Sequence, residues 1–231
     1  MKIIYFTDTF LPQINGVVTS LITISSKIAT KHDVTIIAPQ PAASNTVTWK
    51  NPNIKLKLIH SVPSLIYDDF RISIPLSPRI FEHIKTLNPD LIHFQTSFFI
   101  GGSGILLAKI FKKPVIGTFH GYFMEPEYLQ IIGLKKNIRL ITESLWKYAV
   151  FFYNQCDVVL TPAESAKKDL LKHGVKKEIV VIPNSIPEEK IKKVSIEDVQ
   201  KLKEKYKLKS KVILYVGRVS PEKYIDVLVK S

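Results

Sequence analysis

Short runs of consecutive apolar, mostly β-branched residues, set between longer stretches with helical spacing, constrain this chain more than any other feature. The strand candidates are Lys2–Thr7, Val34–Ala38, Ile54–Ile59, Leu91–Phe94, Val115–Thr118, Val158–Leu160, Ile179–Ile182 and Val212–Val216. Several are apolar at successive rather than alternate positions, which suits strands covered on both faces. Helical candidates lie between them, near 17–30, 78–87, 102–111, 135–154, 163–173, 196–207 and 221–231. Strand, helix and strand in repetition imply a parallel sheet with right-handed crossovers. The fold class expected is α/β: a doubly wound, Rossmann-like parallel sheet, with an incomplete second α/β domain.

Proline marks the boundaries. Asn88-Pro89-Asp90 and Lys112-Lys113-Pro114 each end a helix ahead of a strand. Pro183-Asn184-Ser185-Ile186-Pro187 is turn-rich and leads into a Lys/Glu-rich stretch with little core character. The organisation expected is a domain over 1–185, a linker over 186–210, and the start of a second domain over 211–231. One strand and one helix bury no core of their own, so the chain reads as a fragment of something larger.

Charge narrows the partners. The net charge is +13, with 21 basic and 12 acidic residues after position 130 against 12 and 8 before it. A surface of this sign attracts phosphorylated small molecules, anionic lipid or nucleic acid, and high lysine content of thermophilic or compositional origin produces the same excess. Basic residues scattered through helices, without interleaved stacking aromatics, argue against nucleic acid. Cys156 is the single cysteine, beside the apolar run Val158–Leu160, and reads as a buried, unreactive thiol. The N-terminal Met1-Lys2-Ile3-Ile4-Tyr5-Phe6 has no signal-peptide pattern, and about 18 apolar residues never run together, so a cytoplasmic setting is expected.

Ligands of open parallel sheets bind beyond the carboxyl ends of the strands. Four segments fall there. Residues 7–20 (TDTFLPQINGVVTS) join a strand to a helix starting near Val17. Gly16 permits close backbone approach, and the helix start offers N–H groups to a phosphate; an ordinary connecting loop has the same look. Residues 95–104 (QTSFFIGGSG) carry three glycines that serve either helix–sheet packing, expected for Gly104, or ligand approach. His120, in Gly117-Thr118-Phe119-His120-Gly121-Tyr122, follows a buried strand and is able to donate a hydrogen bond to a substrate hydroxyl or phosphate; a structural role is the alternative. In residues 216–223 (VGRVSPEK), Arg218 and Lys223 flank a helix start opened by Pro221, as diphosphate ligands or as a solvated basic face. The absence of a G-x-G-x-x-G fingerprint speaks against a nicotinamide dehydrogenase.

Residues 7–20, Pro89 to His93 (PDLIH), Gly117 to His120 (GTFH), Ile182-Pro183-Asn184 and residues 216–223 together resemble the retaining glycosyltransferases of GT-B family 4. The branch of that family with diacylglycerol glucosyltransferases and phosphatidylinositol mannosyltransferases is the most similar. The resemblance implies two Rossmann-like domains across a cleft, acceptor on the N-terminal side and nucleotide-sugar on the C-terminal side. It implies Gly16 beside the donor phosphates, His120 near the transferred sugar, and Arg218 and Lys223 neutralising the leaving diphosphate. It further implies a UDP- or GDP-linked hexose donor, no metal or other cofactor, and hexose transfer with retention. The chain departs from the family pattern at Ser185-Ile186-Pro187, where Gly, an aliphatic residue and Asp are common, and at Tyr224. The family's paired glutamates would fall beyond Ser231, so the expectation is no useful turnover by these residues alone.

Asn15, Thr96, Tyr122, Glu125 and Tyr128 are the acceptor-contact candidates. Residues 134–141 (LKKNIRLI) lead into a helix with Trp146, Tyr148, Phe151 and Phe152. Core packing is expected for Phe151 and Phe152, while the Lys135–Arg139 patch is either an interfacial face for anionic lipid at the inner surface of a membrane or a solvated one. The partners expected are a nucleotide-sugar and a lipid or sugar acceptor. The rival to an enzyme is a non-catalytic binding module that keeps half of a GT-B fold.

Overall fold

The computed structural model describes residues 1–42, 47, 49–63, 71–75, 78–121, 129, 137–185, 194–209, 211–217, 219 and 223–230. Its strands in chain order are β1 (Lys2–Phe6), β2 (Asp33–Pro39), β3 (Ile54–Ile59), β4 (Ser61–Pro63), β5 (Arg71–Ser73), β6 (Leu91–Phe94), β7 (Val115–Thr118), β8 (Val158–Thr161) and β9 (Glu178–Val181). Its helices are α1 (Gly16–Ile28), α2 (Pro78–Leu87), α3 (Phe99–Ile110), α4 (Ile138–Tyr153), α5 (Glu164–His173), α6 (Ile196–Lys205) and α7 (Ile225–Lys230). Two compact units result, Met1–Ser185 and Ile186–Ser231.

The first unit holds a seven-stranded sheet in the order β3-β2-β1-β6-β7-β8-β9, every pairing parallel. β1 shows why the strands are apolar at consecutive positions. Ile3 and Tyr5 pack on one face with Leu21 of α1 and Val34 and Ile36 of β2. Ile4 and Phe6 pack on the other with Ile92, Phe94, Ile100 and Leu107. Successive side chains of a strand point to opposite faces, so a strand with two covers has no polar side. Sequence missed the short antiparallel pair β4–β5, whose three-residue strands carry too little pattern to register.

The chain runs outward from β1 through β2 to β3, then returns to β1's other edge as β6 and runs outward again. The carboxyl ends of β1 and β6 therefore form the switch point where such sheets open a crevice. Two loops leave from there, and one carboxylate ties them. Asp8, 2% exposed, accepts hydrogen bonds from the Thr96 hydroxyl (2.6 Å) and the Ile100 backbone N–H (2.6 Å). Its own N–H donates to Thr96 Oγ1 at 2.8 Å. Burial raises the Asp8 carboxyl above the usual range, opposed by the donors from Thr96, Ile100, Gly101 and Phe98. Asp8 thus caps α3 from another loop, in place of Phe98, whose side chain cannot.

Three glycines let the layers close. A Cβ on Gly101 would stand 1.6 Å from the Thr96 carbonyl oxygen, and one on Gly104 would stand 3.1 Å from the Phe6 ring. One on Gly117 would meet Phe94 at 2.3 Å and Cys156 Sγ at 2.9 Å. Cys156 is buried as expected, and burial pushes its thiol up to about 12.

In α4, Trp146, Ala149 and Tyr153 face the sheet, and Phe152 packs its ring on Phe94. Phe151 is a correction: it is 63% exposed rather than core, because one residue along a helix turns about 100° away from the buried side.

The second unit, taken by itself, has no buried residue among those described. Ser195 caps α6, accepting from the Asp198 N–H at 3.0 Å. The strand expected at Val212–Val216 does not form: no described strand is there to complete its ladder, and Ile213, Leu214 and Val216 are left exposed. The last helix starts at Ile225 rather than near 221.

Gly101→Ala is expected to lower unfolding free energy by more than about 3 kcal/mol and Gly117→Ala by ~1–3 kcal/mol, read from urea midpoints. Gly16→Ala, with no atom within 4 Å of its new Cβ, leaves the midpoint unchanged or raised. Asp8→Asn is expected to cost ~1–3 kcal/mol by unpairing one buried donor, and to deprotect the amides of Phe98–Gly101 in hydrogen exchange.

Candidate functional site

The loop from β1 to α1 is braced by its own short polar side chains. Thr7 Oγ1 donates to the Thr9 carbonyl at 2.8 Å, the Thr9 hydroxyl donates to Gln13 Oε1, and the Asn15 amide donates to Thr9 Oγ1 at 2.9 Å. Asn15 then accepts from the Val18 N–H at 3.0 Å, which makes it the N-cap of α1. Gly16 is the first residue of that helix and exposed, with open space on its Cα. Ser, Thr and Asn are favoured in such turns because their side chains satisfy nearby backbone, here at the exposed start of a helix. That is a place where an anion meets N–H groups and the positive end of α1.

β7 delivers His120 to the same edge of the sheet. Its ring is half-buried, and Nε2 lies 2.7 Å from the Gln95 carbonyl Oε1. Gln95 is fully buried behind it and turns its amide nitrogen to His93 Nε2 at 3.0 Å. His93 also meets the Thr118 hydroxyl at 2.7 Å, and its ring is tilted over Tyr5 at 4.8 Å between centroids. Burial lowers His120 to about 4, and burial together with the neighbouring His120 lowers His93 to about 3. Both rings are neutral at pH 7. The His93-Gln95-His120 line joins the β6 and β7 ends, and nothing in the sequence beyond the placement of Gln95 two residues after His93 pointed to it.

Beside this edge lies an apolar cavity of about 450 Å³, lined by Pro75, Phe98, Phe99, Gly102, Ser103, Leu145 and Tyr148. Tyr148 closes one side by donating to the Ser97 carbonyl at 2.5 Å.

The acceptor-contact candidates separate. Thr96 lies at the switch point but spends its hydroxyl on Asp8, and Asn15 spends its side-chain carbonyl on the α1 cap and its amide nitrogen on Thr9. Tyr122, Glu125 and Tyr128 lie outside the described residues, as do Arg218 and the lysines at 135 and 136. Lys223 is exposed in the second unit, just ahead of α7. Asp8 and Gln95 were not singled out from sequence. An Asp directly after the first strand candidate, Lys2–Thr7, was the one signal in the sequence.

Among the described residues no three His, Cys, Asp or Glu side chains come together as a metal site, and no helix is long and apolar enough to cross a membrane.

Known proteins share this fold. Over its full reach the chain superposes on sucrose-phosphate synthase from Thermosynechococcus elongatus with a TM-score of 0.65, covering 99% of this chain and 58% of that one at 14% identity, which is a likeness of fold. It is 32% identical over 235 residues to an alpha-monoglucosyldiacylglycerol synthase of Streptococcus pneumoniae, covering 98% of this chain and 51% of the relative. It is 23% identical over 178 residues to a GDP-mannose-dependent alpha-mannosyltransferase of Corynebacterium glutamicum, covering 76% of this chain and 41% of the relative. The chain thus spans about half the length of these relatives. Residues 14–190 match Glycosyltransferase Family 4, and the chain belongs to that family.

Proposed function

We propose that this chain is the acceptor-side part of a retaining hexosyltransferase that moves a hexose from a UDP- or GDP-linked donor to a hydroxyl of a lipid acceptor built on diacylglycerol or phosphatidylinositol. Membership of the family supports this reading, and the relatives' names add GDP-mannose as a donor and a glucosylated diacylglycerol as a product; the observation that carries the reading is the placement of the open α1 start at Gly16 and the half-buried, neutral His120 on one sheet edge. The acceptor oxygen would attack the anomeric carbon from the face the diphosphate leaves. The C–O bond to the sugar forms as the bond to phosphate breaks, and the leaving phosphate oxygen takes the acceptor's proton. Gly16 would let the donor phosphates approach the α1 N–H groups. Arg218 and Lys223 would neutralise the diphosphate, so that side-chain cations take the part a metal plays elsewhere. His120 would contact the transferred sugar, with Tyr122, Glu125 and Tyr128 toward the acceptor.

A lipid acceptor requires the protein to reach a membrane face, and we place that contact on α4. Leu140, Lys147 and Phe151 recur at i, i+7 and i+11, on the side away from Trp146 and Ala149, with Leu140 65% and Phe151 63% exposed. Arg139 adds charge at the helix start, though Glu143 pairs with it at 3.1 Å. The cavity beside Phe98 and Leu145 offers an apolar neighbour to the acceptor's lipid part.

The test is transfer of labelled hexose from UDP-glucose and GDP-mannose to diacylglycerol or phosphatidylinositol in mixed micelles, by these 231 residues and by a chain of the relatives' length. Expected is transfer by the longer chain with the anomeric configuration kept; an inverted product, or no transfer from either donor, would overturn the reading. Gly16→Ala in that chain is expected to lower donor binding about tenfold (~1.4 kcal/mol) at unchanged stability, and His120→Ala to cut kcat roughly 100-fold. In flotation assays the protein should bind phosphatidylglycerol vesicles less as salt rises and phosphatidylcholine vesicles weakly, with Phe151→Ser and Lys147→Glu each weakening it. Salt-insensitive absence of binding removes the membrane contact.

A further inference from the structure

His120 is the one half-buried imidazole at this edge, and what it can do to a ligand depends on which nitrogen carries its proton. The answer lies behind it, in a residue with no access to solvent. Gln95 follows β6 directly, is 1% exposed, and is fastened by its own N–H to the Phe6 carbonyl at 2.7 Å. Its side-chain carbonyl meets His120 Nε2 at 2.7 Å and its amide nitrogen meets His93 Nε2 at 3.0 Å. A carbonyl oxygen only accepts and an amide NH2 only donates. With the amide turned this way, His120 Nε2 is the N–H nitrogen and His93 Nε2 is the lone-pair nitrogen.

We propose that Gln95 is a positioning residue that locks His120 in its Nε2–H form, so that the ring presents the Nδ1 lone pair to a ligand and takes a hydroxyl, such as a sugar's, and not a phosphate oxygen. The inference rests on the reading that a sugar donor binds at this edge. Nδ1 makes no hydrogen bond among the described residues. A lone pair accepts from a hydroxyl and repels an anionic phosphate oxygen, so His120 selects the sugar part of a donor and leaves the phosphates to backbone N–H groups and cations. On this proposal His120 accepts from a hydroxyl, where the sequence-based expectation has it donate to a hydroxyl or phosphate. Protonation, which would restore a donor at Nδ1, is opposed by burial of the ring. His93 acts through Gln95: its Nε2, also 2.7 Å from the Thr118 hydroxyl, is the acceptor on which the amide nitrogen rests.

The proposal is tested on the unliganded protein with 15N-labelled histidine, by long-range 1H–15N correlation between pH 5 and 9, with His120 assigned from its absence in His120→Asn. The expected pattern is a protonated Nε2 and an unprotonated Nδ1, unchanged on titration with inorganic phosphate. A protonated Nδ1 on the neutral ring, or phosphate driving the ring to imidazolium, overturns the proposal. Gln95→Leu is expected to release the ring into a tautomer mixture, and an unchanged pattern in a folded variant overturns it. Should that variant not fold, Gln95→Glu serves: a carboxylate facing Nε2–H keeps the tautomer and favours imidazolium, raising the His120 pKa from about 4 by more than about one unit. No rise would overturn the contact. Failure of sugar transfer with the expected tautomer in place would count against the transferase reading alone, and a wrong tautomer with intact transfer against Gln95 alone.

Discussion

Two-sided burial of the central parallel strands is the constraint on which the rest of the first unit depends. Ile4 and Phe6 face one helical layer while Ile3 and Tyr5 face the other. Side chains fill both faces of β1. What remains open is the carboxyl edge, where loops leave the strands, and the reversal of strand order between β1 and β6 parts those loops. The chemistry of the molecule is concentrated there because the hydrophobic packing leaves it nowhere else to go.

Polar side chains at that edge fall into two groups by what they do with their hydrogen bonds. Asp8, Thr96, Thr9 and Asn15 spend theirs inward, on helix starts and on one another, and hold the β1 and β6 loops in place. A carboxylate shut away from water at the start of α3 is tolerated because backbone N–H groups and a hydroxyl replace its hydration. Gly16 and His120 keep an open side. The first group is framework for the second, and the His93-Gln95-His120 line extends that framework under the ring itself.

α4 shows the same division on a helix. One side carries Trp146, stacked on Phe119 and on His173, together with Ala149 and Tyr153 against the sheet. The other carries Leu140, Lys147 and Phe151 in the open. Burying only one stripe of a helix that is apolar on more than one side leaves a surface whose partner must be sought outside the fold.

The sheet, its parallel sense and most element bounds were legible in the sequence, because consecutive apolar residues and helical spacing are local signals: Ile54–Ile59, 78–87, Leu91–Phe94 and Val115–Thr118 stand where periodicity put them. So was the family, through motifs in fixed order. Phe151 was misplaced because a run of aromatics does not say which of them the sheet covers, and Val212–Val216 because apolar content makes a strand only where another strand supplies the hydrogen bonds. Tertiary structure alone decided that Asp8 caps a helix 92 positions away and that Gln95 lies behind His120 rather than beside a ligand. Hydrogen bonds between loops depend on where the sheet brings their ends, and that geometry exists only after the core has closed.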